Sequence, residues 1–237
     1  FAAVTHEVGP VFVVAGAGTG KTRTLTMRIA YLIAQGHDPE RILAVTFTNK
    51  AAREMKERVI DMAGPTGVHV WMYTFHAFGL QILRRHIHLL PYGYRPNFSV
   101  IDEEDGKKII KESILALGLD TKEYSIKHLK GLISRYKTQR LDAFEFSEEE
   151  MIFLEYQRRL REDQLVDFDD LILYTQELLK TNNELRDYYQ SYFEHILVDE
   201  FQDTDLIQYD ILSMLGTKHK QVFVVGDPDQ SIYAFRG

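Results

Sequence analysis

Residues 15–22 read AGAGTGKT, set between an apolar run and a helical pattern. The small residues Ala15, Gly16, Ala17, Gly18, Thr19 and Gly20 let a backbone wrap closely around phosphate oxygens, because few Cβ atoms stand in the way. Successive N–H groups then point inward, and the amino end of the following helix adds partial positive charge. Lys21 can reach the outer phosphates of a nucleotide, and the Thr22 hydroxyl can bind Mg²⁺. The strict pattern has glycine where this chain has Ala15, so the match is to a relaxed form. A loop of this kind needs an acid on a neighbouring strand. Residues 196–200, ILVDE, supply one: an apolar run delivers Asp199 to the carboxyl edge, where open α/β sheets bind ligands. Asp199 can hold Mg²⁺, and Glu200 can orient and deprotonate a water beside the last phosphate. The second carboxylate favours nucleotide hydrolysis over transfer to a small molecule.

These residues need strands and helices to position them. Five short apolar runs, residues 10–16, 42–48, 68–74, 195–200 and 221–227, read as strands covered on both faces. Helical patterns follow the first three, over residues 21–35, 50–63 and 76–90, and another spans 206–215 between the last two. Such alternation implies an α/β fold, a parallel sheet with right-handed crossovers; together with the phosphate loop it is expected to be a P-loop NTPase (RecA-like) sheet with helices on both faces. From 91 to 193 the pattern changes to helices alone, over 103–117, 125–138, 148–163, 169–180 and 184–192, with Ser147 and Glu150 spaced as a capping box. The expected organisation is a discontinuous sheet domain, residues 1–90 and 194–237, with an inserted all-helical subdomain at 91–193.

Composition narrows the class. The 237 residues are 45% hydrophobic and 27% charged, as in a globular protein long enough to bury a full core. There is no cysteine, which excludes a disulfide scaffold, a thiolate metal site and a cysteine nucleophile. No run of 18 apolar residues reads as a transmembrane helix, and no signal peptide is visible, so a cytoplasmic location is expected. Phe1 in place of Met suggests a piece of something longer. The net charge of −7 hides a pattern: residues 81–140 carry 12 Lys and Arg against 7 Asp and Glu, whereas 141–170 carry 3 against 11. Only local potential steers a ligand, so nucleic acid remains a possible partner.

Taken in order, the motifs resemble the UvrD/Rep/PcrA family of superfamily 1 DNA helicases. AGAGTGKT at 15–22, followed by Arg23, is similar to motif I of that family. VTFTNKAAREMKERV at 45–59 is similar to motif Ia, TFHAFGLQILRR at 74–85 to Ib, ILVDEFQDTD at 196–205 to II, and VVGDPDQSIYAFRG at 224–237 to III. VDFDDLI at 166–172 also recurs before motif II in such proteins. The resemblance implies that Gln230 senses the last phosphate and couples it to the DNA-contacting aromatics Tyr233 and Phe235, with Arg236 beside them. The family often has Trp where this chain has Phe235, which keeps a stacking face and loses the indole donor. The resemblance also implies that the adenine-reading glutamine falls before Phe1 and that a second motor domain, with the arginine fingers, lies beyond Gly237. The chain then looks like the first motor domain with its insertion, the regions called 1A and 1B.

Phe47, Thr48 and Asn49 end the second strand, and Thr74 and His76 end the third. Carboxyl edges of adjacent strands form one surface, across which a single DNA strand could stack on Phe47 and bond its phosphates to the polar side chains. Asn49 could equally cap the following helix. His76 could equally be a satisfied core histidine. Residues 127–140 hold five Lys and Arg and no acid. Lys127, Lys130 and Lys137 share much of one helical face by spacing, a face that a duplex at a single/double-strand junction would meet. The function expected is an ATP-dependent 3′–5′ DNA helicase or translocase using Mg²⁺ and single-stranded DNA. Two readings stand beside it: the helicase portion of a recombination nuclease–helicase, and a P-loop small-molecule kinase. A nucleotide-gated module without hydrolysis is a third.

Overall fold

The computed structural model describes residues 2–6, 9–16, 20–139 and 147–227. The chain runs β1 (Val11–Val14), α1 (Lys21–Ala34), β2 (Ile42–Thr46), α2 (Asn49–Ala63), β3 (Trp71–Thr74), α3 (Phe75–His86), β4 (Ser99–Val100), α4 (Glu103–Ala116), α5 (Ile126–Gln139), α6 (Glu148–Glu162), β5 (Leu165–Val166), α7 (Phe168–Thr181), α8 (Asn183–Tyr192), β6 (His195–Val198), α9 (Leu206–Gly216) and β7 (Val222–Gly226). It divides into two compact units, residues 1–78 with 179–237, and residues 79–178. No helix among the described residues is long and apolar enough to cross a membrane.

The first unit is built on one parallel sheet, in the order β1-β7-β6-β2-β3. Its register sets Val45 of β2 opposite both Val198 of β6 and Tyr73 of β3, so three carboxyl ends finish level. Alternate strand residues face opposite ways. Ala44, Leu197, Phe223 and Val225 pack with Leu25 and Ile29 of α1 and Met55 and Val59 of α2. On the other face α9 packs on β6, burying Ile207, Ile211 and Leu215. Truncating a fully buried Leu25 or Met55 to alanine would cost about 2–5 kcal/mol.

Two strand expectations change. Residues 68–69 belong to a 3-10 turn, Pro65–His69, and β3 starts only at Trp71. There the backbone lies against α2: a Cβ on Gly67 would stand 3.0 Å from Val59 Cγ1. Nor is β1 covered on both faces, since Phe12 and Val14 are 53% and 64% exposed. Among the described residues it is an edge strand, paired with β7 alone. The Ser147 hydroxyl accepts from the Glu150 N–H, but the full reciprocal capping box forms at Asp205 and Gln208.

The second unit holds α4, α5 and α6 around Ile110, Ile114, Leu129, Ile133, Ile152 and Leu160. It also contains a short parallel ladder, Ser99 beside Leu165 and Val100 beside Val166. Two residues show no period in a sequence, so this ladder escaped the pattern reading. The basic face expected along 127–140 needs correction. Lys137 is fully buried, 2.6 Å from Asp167 and 2.8 Å from Asp170. Lys130 pairs with Glu103 at 2.7 Å. Burial of an amine demands a carboxylate partner, and VDFDD supplies two. Lys127 and Arg135 remain exposed on α5, while Arg140 lies outside the described residues.

Candidate functional site

The site begins where β1 gives way to α1. The Ala15 N–H donates to the Gly226 carbonyl at 3.1 Å, which carries the β1–β7 ladder one residue further. Gly20 then takes a left-handed conformation, φ 88° and ψ 31°, which a glycine adopts without Cβ strain. Its carbonyl accepts from the Thr24 N–H at 2.9 Å and starts the helix. Lys21 and Thr22 therefore sit in the first turn of α1, at its positive end.

From the other side, β6 arrives as an apolar strand. The Asp199 N–H donates to the Val45 carbonyl at 3.0 Å, so Asp199 is still held by the sheet. The next residue leaves it: Glu200 is left-handed, φ 50° and ψ 46°, and a 3-10 turn over Phe201–Asp203 follows. A non-glycine residue in this region costs about 1–3 kcal/mol and persists where neighbours over-determine it. Two such neighbours grip the same carboxylate oxygen, Lys21 Nζ and Gln202 Nε2, each 2.7 Å from Glu200 Oε2. Beside that pair, the Thr22 hydroxyl donates to Asp199 Oδ2 at 3.0 Å. The arrangement joins a helix-borne ammonium and hydroxyl to two strand-borne carboxylates.

Its electrostatics favour an added cation. Burial raises the Asp199 carboxyl above its ordinary range, and the charge of Glu200 adds to this against the opposing Thr22 bond. Asp203 is raised in the same way, by burial and then by Glu200, and its buried Oδ1 has no hydrogen-bond partner among the described residues. Oxygen donors with excess negative charge suit a hard divalent ion. The sequence reading missed Gln202. Its Oε1 accepts from the Asp227 N–H at 2.9 Å, so one amide ties Glu200 to the end of β7. A Cβ on Gly226 would stand 2.9 Å from that same oxygen, so the Gln202 amide packs closely on the β7 backbone. The available signal was an amide two residues past Glu200.

The strand-edge candidates lie together. The β2–β3 register sets Thr46 beside Thr74, and the Phe47 and Phe75 rings are 5.5 Å apart. Thr48, not Asn49, caps α2: its Oγ1 accepts from the Ala51 N–H at 3.1 Å, because the cap residue must stay extended while Asn49 is already helical. Thr74 likewise accepts from the Ala77 N–H at 3.1 Å. Phe47 is half-buried, and Thr48 and Asn49 are exposed. His76 is half-buried, and burial lowers its pKa. Arg23 is exposed beside the loop. Ala17, Gly18, Thr19, Gln230, Tyr233, Phe235 and Arg236 lie outside the described residues.

The sequence profile of the UvrD/REP helicase N-terminal domain matches residues 1–237, the whole chain. The chain belongs to this family. It is 43% identical over 245 residues to the ATP-dependent DNA helicase PcrA of Bacillus subtilis, and 42% identical to that of Staphylococcus aureus. It is also 42% identical over 246 residues to a probable DNA helicase II homolog of Rickettsia conorii. Each match covers 99% of this chain but only 33–37% of the relative, so the chain spans about a third of their length. Membership accounts for the parallel sheet with helices on both of its faces. Within the family's frame, motif I and motif II are the two halves that the Lys21–Glu200 and Thr22–Asp199 contacts join.

Proposed function

We propose that this chain is the ATP-binding part of an ATP-dependent 3′–5′ DNA helicase or translocase. The observation that carries the reading is the meeting of Lys21 with Glu200 and of Thr22 with Asp199 at one sheet edge. In this reading residues 1–90 and 194–237 are the motor domain, and residues 91–193 are its helical insertion. The loop from Ala15 to Thr22 cradles the triphosphate, with Arg23 beside it. Lys21 exchanges its carboxylate partner for phosphate oxygens and so frees Glu200 to hold and deprotonate a water. Thr22 and Asp199 would hold Mg²⁺, which neutralises phosphate charge when bound. The buried, cation-seeking Asp199 supports that assignment. Gln202 positions Glu200 and links it to the segment carrying Gln230, to which the family pattern gives the phosphate-sensing role.

Single-stranded DNA is the proposed second ligand. It lies over Phe47, Thr48, Asn49, Thr74 and His76 and reaches Tyr233, Phe235 and Arg236. Stacking on aromatics tolerates any base, which suits a translocase. Action at single/double-strand junctions, in the cytoplasm, follows from the same reading. An arginine finger from a second motor domain is worth about 10³ to 10⁵ in rate. Residues 1–237 alone should therefore bind ATP but turn it over slowly and unwind nothing.

Calorimetry of ATP binding to Lys21→Ala and Glu200→Gln tests the site. The first should lose binding, because the triphosphate loses its charge partner, and the second should keep it. Equal loss in both would contradict this division of roles. DNA-independent phosphorylation of a small molecule would select the kinase reading instead.

A further inference from the structure

β6 carries the proposed catalytic acids at its carboxyl end. At its amino end a second cluster meets. His195 opens the strand, Glu194 precedes it, and His37 reaches both from the turn after α1, where Gly36 at φ 90° ends the helix. His195 Nε2 and His37 Nδ1 are 3.1 Å apart, with the two rings nearly perpendicular. One ligand atom from each of His37, Glu194 and His195 lies within 4.8 Å of the others. We propose that these three side chains form a binding site for a zinc-class divalent cation, with two imidazole nitrogens, one carboxylate oxygen and a fourth position left to water.

The histidine pair lies near the spacing that a metal would impose. Zinc binds imidazole nitrogen at about 2.0–2.1 Å, so two nitrogens on its tetrahedron stand about 3.3–3.4 Å apart. The observed pair is within a few tenths of that edge. His37 is exposed on a turn and free to make the small ring adjustment, whereas His195 is buried and fixed by the sheet. Glu194 pairs with Arg41 through one oxygen, leaving the other for a metal. An outer hydrogen bond of that kind orients a ligating carboxylate.

The donor set also selects the cation. Imidazole suits zinc, copper, nickel and cobalt, whereas Mg²⁺ demands near-octahedral oxygen. Here there is one carboxylate, already neutralised by Arg41, against two nitrogens. The two ends of β6 would thus take different cations, oxygen-seeking at Asp199 and nitrogen-seeking at His195. A bound ion would tie the α1–β2 turn to the foot of the strand that presents Asp199 and Glu200. The competing account is a plain histidine–histidine hydrogen bond beside a surface ion pair.

Cobalt titration of the metal-stripped chain separates the two. Co²⁺ should bind saturably at one equivalent with the visible absorption of a four-coordinate site, and Zn²⁺ should displace it while excess Mg²⁺ should not. His37→Ala and Glu194→Gln should each weaken binding by at least about ten-fold, since even outer-shell losses cost 10–100-fold. Because His37 and its turn are exposed, circular dichroism of His37→Ala should match the wild type. His88→Ala, at another exposed histidine, should bind as the wild type does. Unsaturable binding, displacement by Mg²⁺, or wild-type affinity in His37→Ala would each overturn the proposal.

Discussion

Two lysine–carboxylate clusters sit in the two units of this chain, built from nearly the same groups. In the sheet unit, Lys21 is 8% exposed and meets Glu200, which is 35% exposed, with Asp199 beside it. In the helical unit, Lys137 is wholly buried between Asp167 and a wholly buried Asp170. Tyr156 donates to Asp167 at 2.9 Å, and Gln157 Nε2 lies 3.4 Å from Asp170 and 3.2 Å from the Tyr174 hydroxyl. The first cluster stands at a helix start and a strand end, with one carboxylate open to solvent. The second is largely buried within its own unit, with Lys137 and Asp170 wholly enclosed and Asp167 16% exposed. The same charges therefore serve opposite ends. An ammonium held by a half-exposed partner can change partners, whereas a wholly buried one locked between two carboxylates holds helices in register. Composition does not separate a site from a strut; access does.

The largest expected difference is in turnover. In a protein that includes the second motor domain, Glu200→Gln should lower ATP hydrolysis by about 10²–10⁴, the usual worth of a general base. Asp170→Asn should leave turnover per folded molecule unchanged. Steady-state ATPase with single-stranded DNA measures both. A comparable loss in Asp170→Asn would join the clusters functionally and break the contrast.

Stability should show the reverse ranking. Lys137→Met strands the buried Asp170 carboxylate, with Asp167 beside it, and should cost about 3–5 kcal/mol in chemical denaturation. Lys21→Met removes a pair with a partly solvated partner and should cost about 1 kcal/mol or less. Similar losses would mean that Lys21 too is chiefly structural.

This contrast also marks what the sequence made legible. The strand–helix alternation and the paired signals at Lys21, Thr22, Asp199 and Glu200 were readable because short-range order sets them. A glycine-rich turn starts a helix, and an apolar run ends on an acid. Lys137 was misplaced on a basic surface face for the same reason. Spacing along α5 says which lysines align, but its partners lie 30 and 33 residues away, in VDFDD. Gln202 was invisible because its role depends on the left-handed turn at Glu200 and on the β7 backbone beside it. The cluster of His37, Glu194 and His195 joins residues about 158 apart in sequence.

A smaller effect concerns DNA. Phe47→Ala should weaken single-strand binding by about 1–3 kcal/mol, with little sequence preference and a steep salt dependence. Its ring contact with Phe75 also makes it a packing residue, so thermal unfolding should accompany the titration. Unchanged binding in a folded variant would remove the strand edge from the DNA path.

The smallest expected effects are in pH dependence, and they sharpen the comparison most finely. Burial, with the Asp167 charge, pushes the Asp170 carboxyl up to about 7. Its unfolded value is near 3.9. Between those values the folded chain holds the proton that the unfolded chain has released, so this residue's contribution falls as pH rises from about 4 to 7. Asp170→Asn should flatten that part of the curve. Asp199 is raised in the same direction, so its ionisation also costs the folded state at neutral pH. Asp199→Asn should therefore stabilise the chain, as replacing strained functional groups often does. The gain should be present at pH 7 and vanish below about pH 4, where the wild-type carboxyl is already neutral in both states. It should come with loss of Mg²⁺-dependent ATP binding. A destabilised Asp199→Asn variant at pH 7 would mean that the Thr22 bond outweighs burial and that Asp199, like Asp167, is held for structure.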